Sequence, residues 1–201
     1  MTIDLDRCAL GVELGSTRIK AVLVDGQNAP VAVGGHDWEN SFTDRLWTYP
    51  LESAWDGLQA AVGELAADLQ ERHGVRLGSL GQVGALGVSA MMHGYLAFDA
   101  DGELLVPFRT WRNTNTGRAS EDLSALFGQN VPHRWSVAHL YQALLDHEEH
   151  VGRVAYVTTL AGYVHWQLTG EKVIGVGDAS GMFPIDPQTP MTFSPVSCQC
   201  T

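Results

Sequence analysis

The chain is short of several things, and each shortage removes a class of protein. Three cysteines, Cys8, Cys198 and Cys200, stand in 201 residues. They are too few and too clustered to form a disulfide framework, so a reducing cytoplasm is the expected setting. Basic residues number 12 against 23 acidic ones, a formal net charge of −11. A protein held on nucleic acid by phosphate neutralisation needs the opposite balance, so no nucleic-acid partner is expected. No stretch approaches the roughly 20 apolar residues of a membrane span, so no membrane partner is expected either. The opening Met-Thr-Ile-Asp-Leu-Asp-Arg carries acids where a secretory leader needs a basic segment. Internal repeats and low-complexity linkers are also missing. What is present is globular: 45% hydrophobic and 17% charged residues, in a length that allows one domain with a real core or two small ones.

The chain is organised around Ala9 to Asp25. Two apolar runs, Ala9–Val12 and Ile19–Val24, flank Gly15-Ser16-Thr17, which predicts a β-hairpin with a polar tip. Gly15 allows close backbone approach to a ligand, and Ser16 and Thr17 bring hydroxyl and N–H groups suited to phosphate oxygens. Glu13 directs a carboxylate to the same end, where Mg²⁺ shared with a nucleotide would sit, and Lys20 adds a flexible positive charge. An ordinary hairpin with a polar tip satisfies the same spacing.

Further along, Asp25–Asn28 predicts a turn and Val31–Val33 a third strand, followed by a polar connection from Gly34 to Tyr49. Pro50 opens a helix whose apolar positions 51, 54, 55, 58, 61, 62, 65, 66 and 69 trace one face, with Gly74 as its stop. Gln82–Ser89 is apolar with little alternation, as in a strand buried on both faces. Tyr95–Phe98 and Leu104–Val106 read as strands around a turn at Asp99–Gly102, and Pro107–Thr116 as an irregular loop. Helices are expected at Arg118–Phe127, stopped by Gly128, and at Val137–His147, with Ser136 as N-cap. Val154–Thr158 reads as a strand and Leu160–Leu168 as a helix ended by Gly170. This order predicts a layered α/β domain with a mixed β-sheet flanked by helices.

Five segments in order carry a resemblance. Glu-x-Gly-Ser-Thr-x-x-Lys, residues 13–20, is similar to the first phosphate motif of the sugar kinases of the actin-like ATPase superfamily. Ala85-Leu-Gly-Val-Ser-Ala-Met-Met-His-Gly94 resembles the Gly-Gln-Met-His-Gly segment of the FGGY carbohydrate kinases, and of xylulokinases in particular. Thr110-Trp111-Arg112-Asn113 stands where these carry a Trp-Asn-Asp-like loop. Leu168-Thr-Gly-Glu171 and Asp178-Ala-Ser-Gly181, followed by Asp186, match the last two segments. The resemblance runs from about Leu10 to Asp186. It implies a ribonuclease H-like (actin-like ATPase) fold, with residues 1–186 as the N-terminal, sugar-binding domain. The implied activity is ATP-dependent phosphorylation of a sugar or polyol hydroxyl, with ATP and Mg²⁺ as cofactors. Gly15, Ser16, Thr17 and Lys20 would take phosphates and Glu13 the metal. Met92, His93, Trp111, Asn113 and Asp178 would face the acceptor.

The same resemblance places the general base Asp in a C-terminal kinase domain outside this sequence. The 201 residues alone are therefore expected to be inactive. Arg112-Asn113 departs from the Asn-Asp usual in xylulokinases, so xylulose is not carried over as the substrate. A non-catalytic sugar- or nucleotide-binding domain, or an actin-like structural module, remains open. Residues 187–201, with three prolines in nine positions, form an irregular tail, read as a truncated or frame-altered end.

Each acceptor-side residue has a plainer reading: His93 as a structural hydrogen-bonder, and Trp111 tucked under a solvated loop. Gly175–Gly181 has the wrong spacing for a dinucleotide fingerprint, and Pro184 and Pro187 exclude the helix such a motif opens. It reads as a structural or sugar-facing loop. His147-Glu148-Glu149-His150 reads as a solvated, frayed helix end, and Cys198-Gln-Cys200 lacks further metal ligands.

Overall fold

The computed structural model describes residues 3–185. The proline-rich tail, with Asp186, Pro187, Cys198 and Cys200, lies outside the described residues. In chain order the elements are strands β1 (Ala9–Leu14), β2 (Arg18–Val24), β3 (Pro30–Asp37), β4 (Ser41–Thr43) and β5 (Leu46–Tyr49), then helix α1 (Leu51–His73). Strands β6 (Ala85–Ala90), β7 (Leu96–Phe98) and β8 (Phe108–Arg109) follow, then helices α2 (Gly117–Phe127) and α3 (Ser136–Leu145). Strand β9 (Tyr156–Thr158) and helices α4 (Leu160–Thr169) and α5 (Val176–Ala179) complete the order. They divide into two compact units, one of Met1–Asn40 and Pro50–Met91, the other of Ser41–Tyr49 and the chain from Met92 onward.

The first unit is a four-stranded mixed sheet in the order β3-β2-β1-β6. The pairs β1–β2 and β2–β3 are antiparallel; β1–β6 is parallel, with Leu14 opposite Ala90. Alternation decides the faces. Leu10, Val12 and Leu14 pair with Leu23, Ala21 and Ile19, and all six are buried. On this side lies α1, presenting Ala54, Leu58, Ala61, Leu65 and Leu69. Close approach requires Gly34, where a Cβ would stand 2.1 Å from the Ala61 carbonyl oxygen. The helix ends as the sequence predicts, on Gly74 at φ 67°.

The second unit holds two small sheets, β4-β5-β8 and β7-β9, beside α2 to α5. Leu123, Val131, Val137 and Ala138 form a buried cluster, with Phe127, Trp135, Tyr141 and Phe183 packed against it.

Several expectations are corrected. The polar connection 34–49 contains the end of β3 and the β4–β5 hairpin, which the weak local pattern concealed. Strand β6 is largely exposed rather than buried on both faces, because it edges the sheet among the described residues. The expected strand Leu104–Val106 reduces to one bridge, Phe98 opposite Leu104. Ser136 does not cap α3: Trp135 occupies that position, while the Ser136 hydroxyl donates to the Gly94 carbonyl at 2.6 Å. One helical turn, α5, forms where the prolines argued against a helix; it ends before Pro184.

The largest correction concerns His147–His150. His150 is buried and Glu148 receives the guanidinium of Arg109, itself 4% exposed, on both carboxylate oxygens. The Tyr95 hydroxyl lies 2.9 Å from His150 Nε2, and His150 Nδ1 lies 3.4 Å from Glu148. A neutral His150 with its proton on Nδ1 satisfies both contacts. Burial pushes the Tyr95 hydroxyl up to about 12 and lowers His150 below its ordinary value. What looked like a frayed end is a buried polar network.

Candidate functional site

The phosphate-side candidates belong to the first unit. The turn between β1 and β2 is closed by the Gly15 N–H donating to the Arg18 carbonyl at 3.1 Å. A Cβ at Gly15 would come within 2.9 Å of that oxygen, which explains glycine here. Thr17 is exposed and Ser16 half-buried. Trp38, just beyond β3, donates its indole Nε1–H to the Gly15 carbonyl at 2.7 Å, and its backbone N–H to the Thr17 carbonyl at 3.1 Å.

Glu13 and Lys20 are cross-strand partners on the sheet face opposite α1. Their side chains form an ion pair at 3.1 Å, each about half exposed. Both line a shallow depression of about 410 Å³ floored by Gly11, Val22, Gly87 and Val88. Ser89 sits opposite Glu13 on β6 and lines the same depression. Sequence spacing gave no notice of Ser89 or Trp38, since both reach the hairpin through long-range pairing.

Among the described residues there is no group of three or more His, Cys, Asp or Glu side chains placed to hold a metal ion. A single carboxylate is nevertheless compatible with Mg²⁺, which commonly takes one or two carboxylates and completes its shell with water and substrate phosphates. Glu13 fits that limited role: Lys20 engages its Oε2, which leaves Oε1 as a candidate ligand atom.

The acceptor-side candidates belong to the second unit. His93 adopts φ 71° and Gly94 φ 86°, two successive left-handed residues, the first uncommon for a side chain with a Cβ. His93 Nδ1 lies 2.9 Å from the Gly181 carbonyl. A carbonyl only accepts, so Nδ1 carries the proton, and a neutral ring presents Nε2 as an acceptor. A Cβ at Gly181 would fall 2.8 Å from His93 Nδ1 and from the Met92 methyl. Only glycine permits this packing.

Asp178, on α5, joins the group. Its Oδ2 accepts from the Thr159 hydroxyl, and its Oδ1 is buried without a hydrogen-bond partner among the described residues. Burial raises its pKa, with the Thr159 hydrogen bond and nearby His93 opposing. The structure thus brings Met92, His93 and Asp178 together, and adds Thr159 and Gly181.

Trp111 is 43% exposed, as a stacking platform requires. Tyr95 forms an isolated antiparallel bridge with Arg109, after which the Thr110 N–H turns to the Trp47 carbonyl. Asn113 is placed otherwise than expected. It is 3% exposed; its Oδ1 accepts from the Trp47 N–H at 2.8 Å, and its Nδ2 donates to the carbonyls of Trp47 and Thr110 at 2.8 and 3.0 Å. Beside it the Arg112 guanidinium stacks 4.0 Å from the Trp47 ring centre. Asn113 therefore ties the loop to the β4–β5 hairpin.

The sequence matches the FGGY family of carbohydrate kinases, N-terminal domain, over residues 8–189. It is 26% identical over 188 residues to the xylulose kinase of Escherichia coli (strain K12), covering 88% of this chain and 36% of that protein. The chain thus spans about a third of the length of that curated relative. The fold is shared with the xylulose kinase of Rhodospirillum rubrum, at TM-score 0.79 and 23% identity over 96% of this chain and 41% of the other. It is shared as well with the Plasmodium falciparum glycerol kinase solved with ADP, at TM-score 0.78 and 13% identity over 96% and 40%. The α/β architecture is therefore that of the actin-like sugar kinases, and the chain belongs to the FGGY family of carbohydrate kinases, whose N-terminal domain it carries.

Proposed function

We propose that this chain is the acceptor-binding part of an ATP-dependent kinase that phosphorylates a hydroxyl of a sugar or polyol. The observation that carries this reading is the His93 cluster. A ring fixed by the Gly181 carbonyl presents Nε2, next to a half-buried Asp178 whose Oδ1 has no protein partner among the described residues. Such acceptors suit the donor hydroxyls of a carbohydrate, and Trp111 offers a face for its C–H groups. Asn113 acts one step back, by holding the loop that carries Trp111.

On the phosphate side, Gly15, Ser16 and Thr17 would meet the nucleotide, with Lys20 neutralising charge and Glu13 holding Mg²⁺. Phosphoryl transfer asks mainly for positioning and charge neutralisation. The base and the adenosine site would come from a C-terminal kinase domain, the expected partner of this chain. The location in keeping with a free, buried Cys8 is a reducing cytoplasm. One observation favours a second reading, a non-catalytic binding domain: Glu13 and Lys20 are engaged with each other.

Calorimetric titration of the chain with ketoses, aldoses and polyols tests the proposal, with His93→Ala as control. Saturable binding of one sugar class that weakens in the variant supports it. Heat from ATP·Mg²⁺ alone, with no sugar response, overturns the acceptor-binding reading.

A further inference from the structure

Trp38 makes two hydrogen bonds to the turn at residues 15–17, and both go to carbonyl oxygens. In a planar trans peptide the N–H points away from the C=O. Holding the Gly15 carbonyl therefore aims the Ser16 N–H away from the indole, and holding the Thr17 carbonyl does the same for the Arg18 peptide. The indole is 7% exposed, so this donor is shielded from competing water. The hairpin closes on itself through the Gly15 N–H to the Arg18 carbonyl. Trp38 adds its two bonds from outside the hairpin.

We infer that Trp38 is a positioning residue for phosphate binding, a clamp that orders the turn before a polyphosphate arrives. This rests on the proposed reading of the turn as a phosphate site. Its value is entropic: peptides already fixed lose less freedom on binding.

The test uses the 201-residue chain and magnesium tripolyphosphate, followed by amide NMR. In the unsubstituted chain the Ser16 and Thr17 amides are expected to shift saturably. Trp38→Phe, which keeps an aromatic ring and the backbone N–H, should weaken that binding about three- to tenfold, the worth of one neutral hydrogen bond. Hydrogen exchange at residues 15–18 should rise by a similar factor, while Leu10, Ala21 and Leu23 in the sheet keep their protection. If Trp38→Phe fails to fold, benzothienylalanine at position 38 retains the indole shape without the N–H, under the same criteria. Turn exchange and affinity both within twofold of the unsubstituted chain would overturn the clamp. So would a uniform rise in exchange across the sheet, the mark of a merely structural role. Should the unsubstituted chain show no shift at the turn, the phosphate reading fails, whereas the exchange comparison still reports on the clamp.

Discussion

His93 departs from ordinary backbone geometry while making a specific side-chain contact, which makes it the most informative single residue. A left-handed backbone costs a non-glycine residue about 1–2 kcal/mol, and here the Gly181 contact accompanies it. In the complete kinase, His93→Ala is expected to weaken acceptor binding several-fold and leave the ATP KM nearly unchanged, as checked by steady-state kinetics on both substrates. A matching loss for ATP would return His93 to a structural part. The acid side of the pH profile belongs to another histidine. His139 is fully buried with neither ring nitrogen hydrogen-bonded among the described residues, and burial, aided by Arg109 and His133, lowers its pKa to about 3. The unfolded ring takes up a proton near 6.5. The neutral folded ring thus contributes stability that is complete above that value and lost as the pH falls towards 3. His150 shifts in the same direction; Asp68 and Asp99, lowered by backbone hydrogen bonds first, act the same way but only below about 4, and Asp178, raised, acts with opposite sign. Thermal unfolding midpoints between pH 6.5 and 4.5 therefore report the histidines against the opposing Asp178, and His139→Leu should flatten the slope. An unaltered slope would exclude His139.

Among the elements, α1 and the β1–β2 hairpin were legible from sequence because their signals are local: an apolar face at helical spacing, a stop glycine, two aliphatic runs around a polar turn. The β4–β5 hairpin was not. Its strands have three and four residues, and β5 is secured by pairing Tyr49 with Phe108, far along the chain. The Arg109–Glu148 pair, 39 residues apart, was hidden for the same reason, and so was the part Asn113 plays. Phosphate-side and acceptor-side candidates were found by motif, but Trp38, Ser89 and Thr159 have no local signature. Two glycines test the packing of β3 on α1. Gly34→Ala drives a methyl into the helix backbone and should destabilise the first unit by about 1–3 kcal/mol or more. Gly63→Ala, exposed within α1 with nothing within 4 Å, should stabilise it by roughly 0.5–1 kcal/mol. Urea unfolding of the two variants measures both; equal effects would mean that the helix stands further from β3.

For the molecule as a whole, β6 combines an apolar sequence with exposure, including Leu86 at 40%. Leu86, level with Leu10 on one side of the sheet, and the open depression over Gly11 and Val22 on the other are surfaces expected to bind a hydrophobic dye such as ANS and to favour self-association. In a coupled ADP-release assay with a panel of ketoses, aldoses and polyols, the 201-residue chain is expected to show no sugar-dependent turnover. A rate of roughly 1–100 s⁻¹ would falsify the view that the base lies elsewhere.

The two units are interleaved, since Ser41–Tyr49 departs from the first to serve the second. During synthesis this hairpin leaves the ribosome about sixty residues ahead of the strand it must meet at Phe108–Arg109. At 5–20 residues per second the delay is roughly three to twelve seconds. Through that interval Tyr49, only 2% exposed once folded, stands in the nascent chain without Phe108, the residue it pairs with.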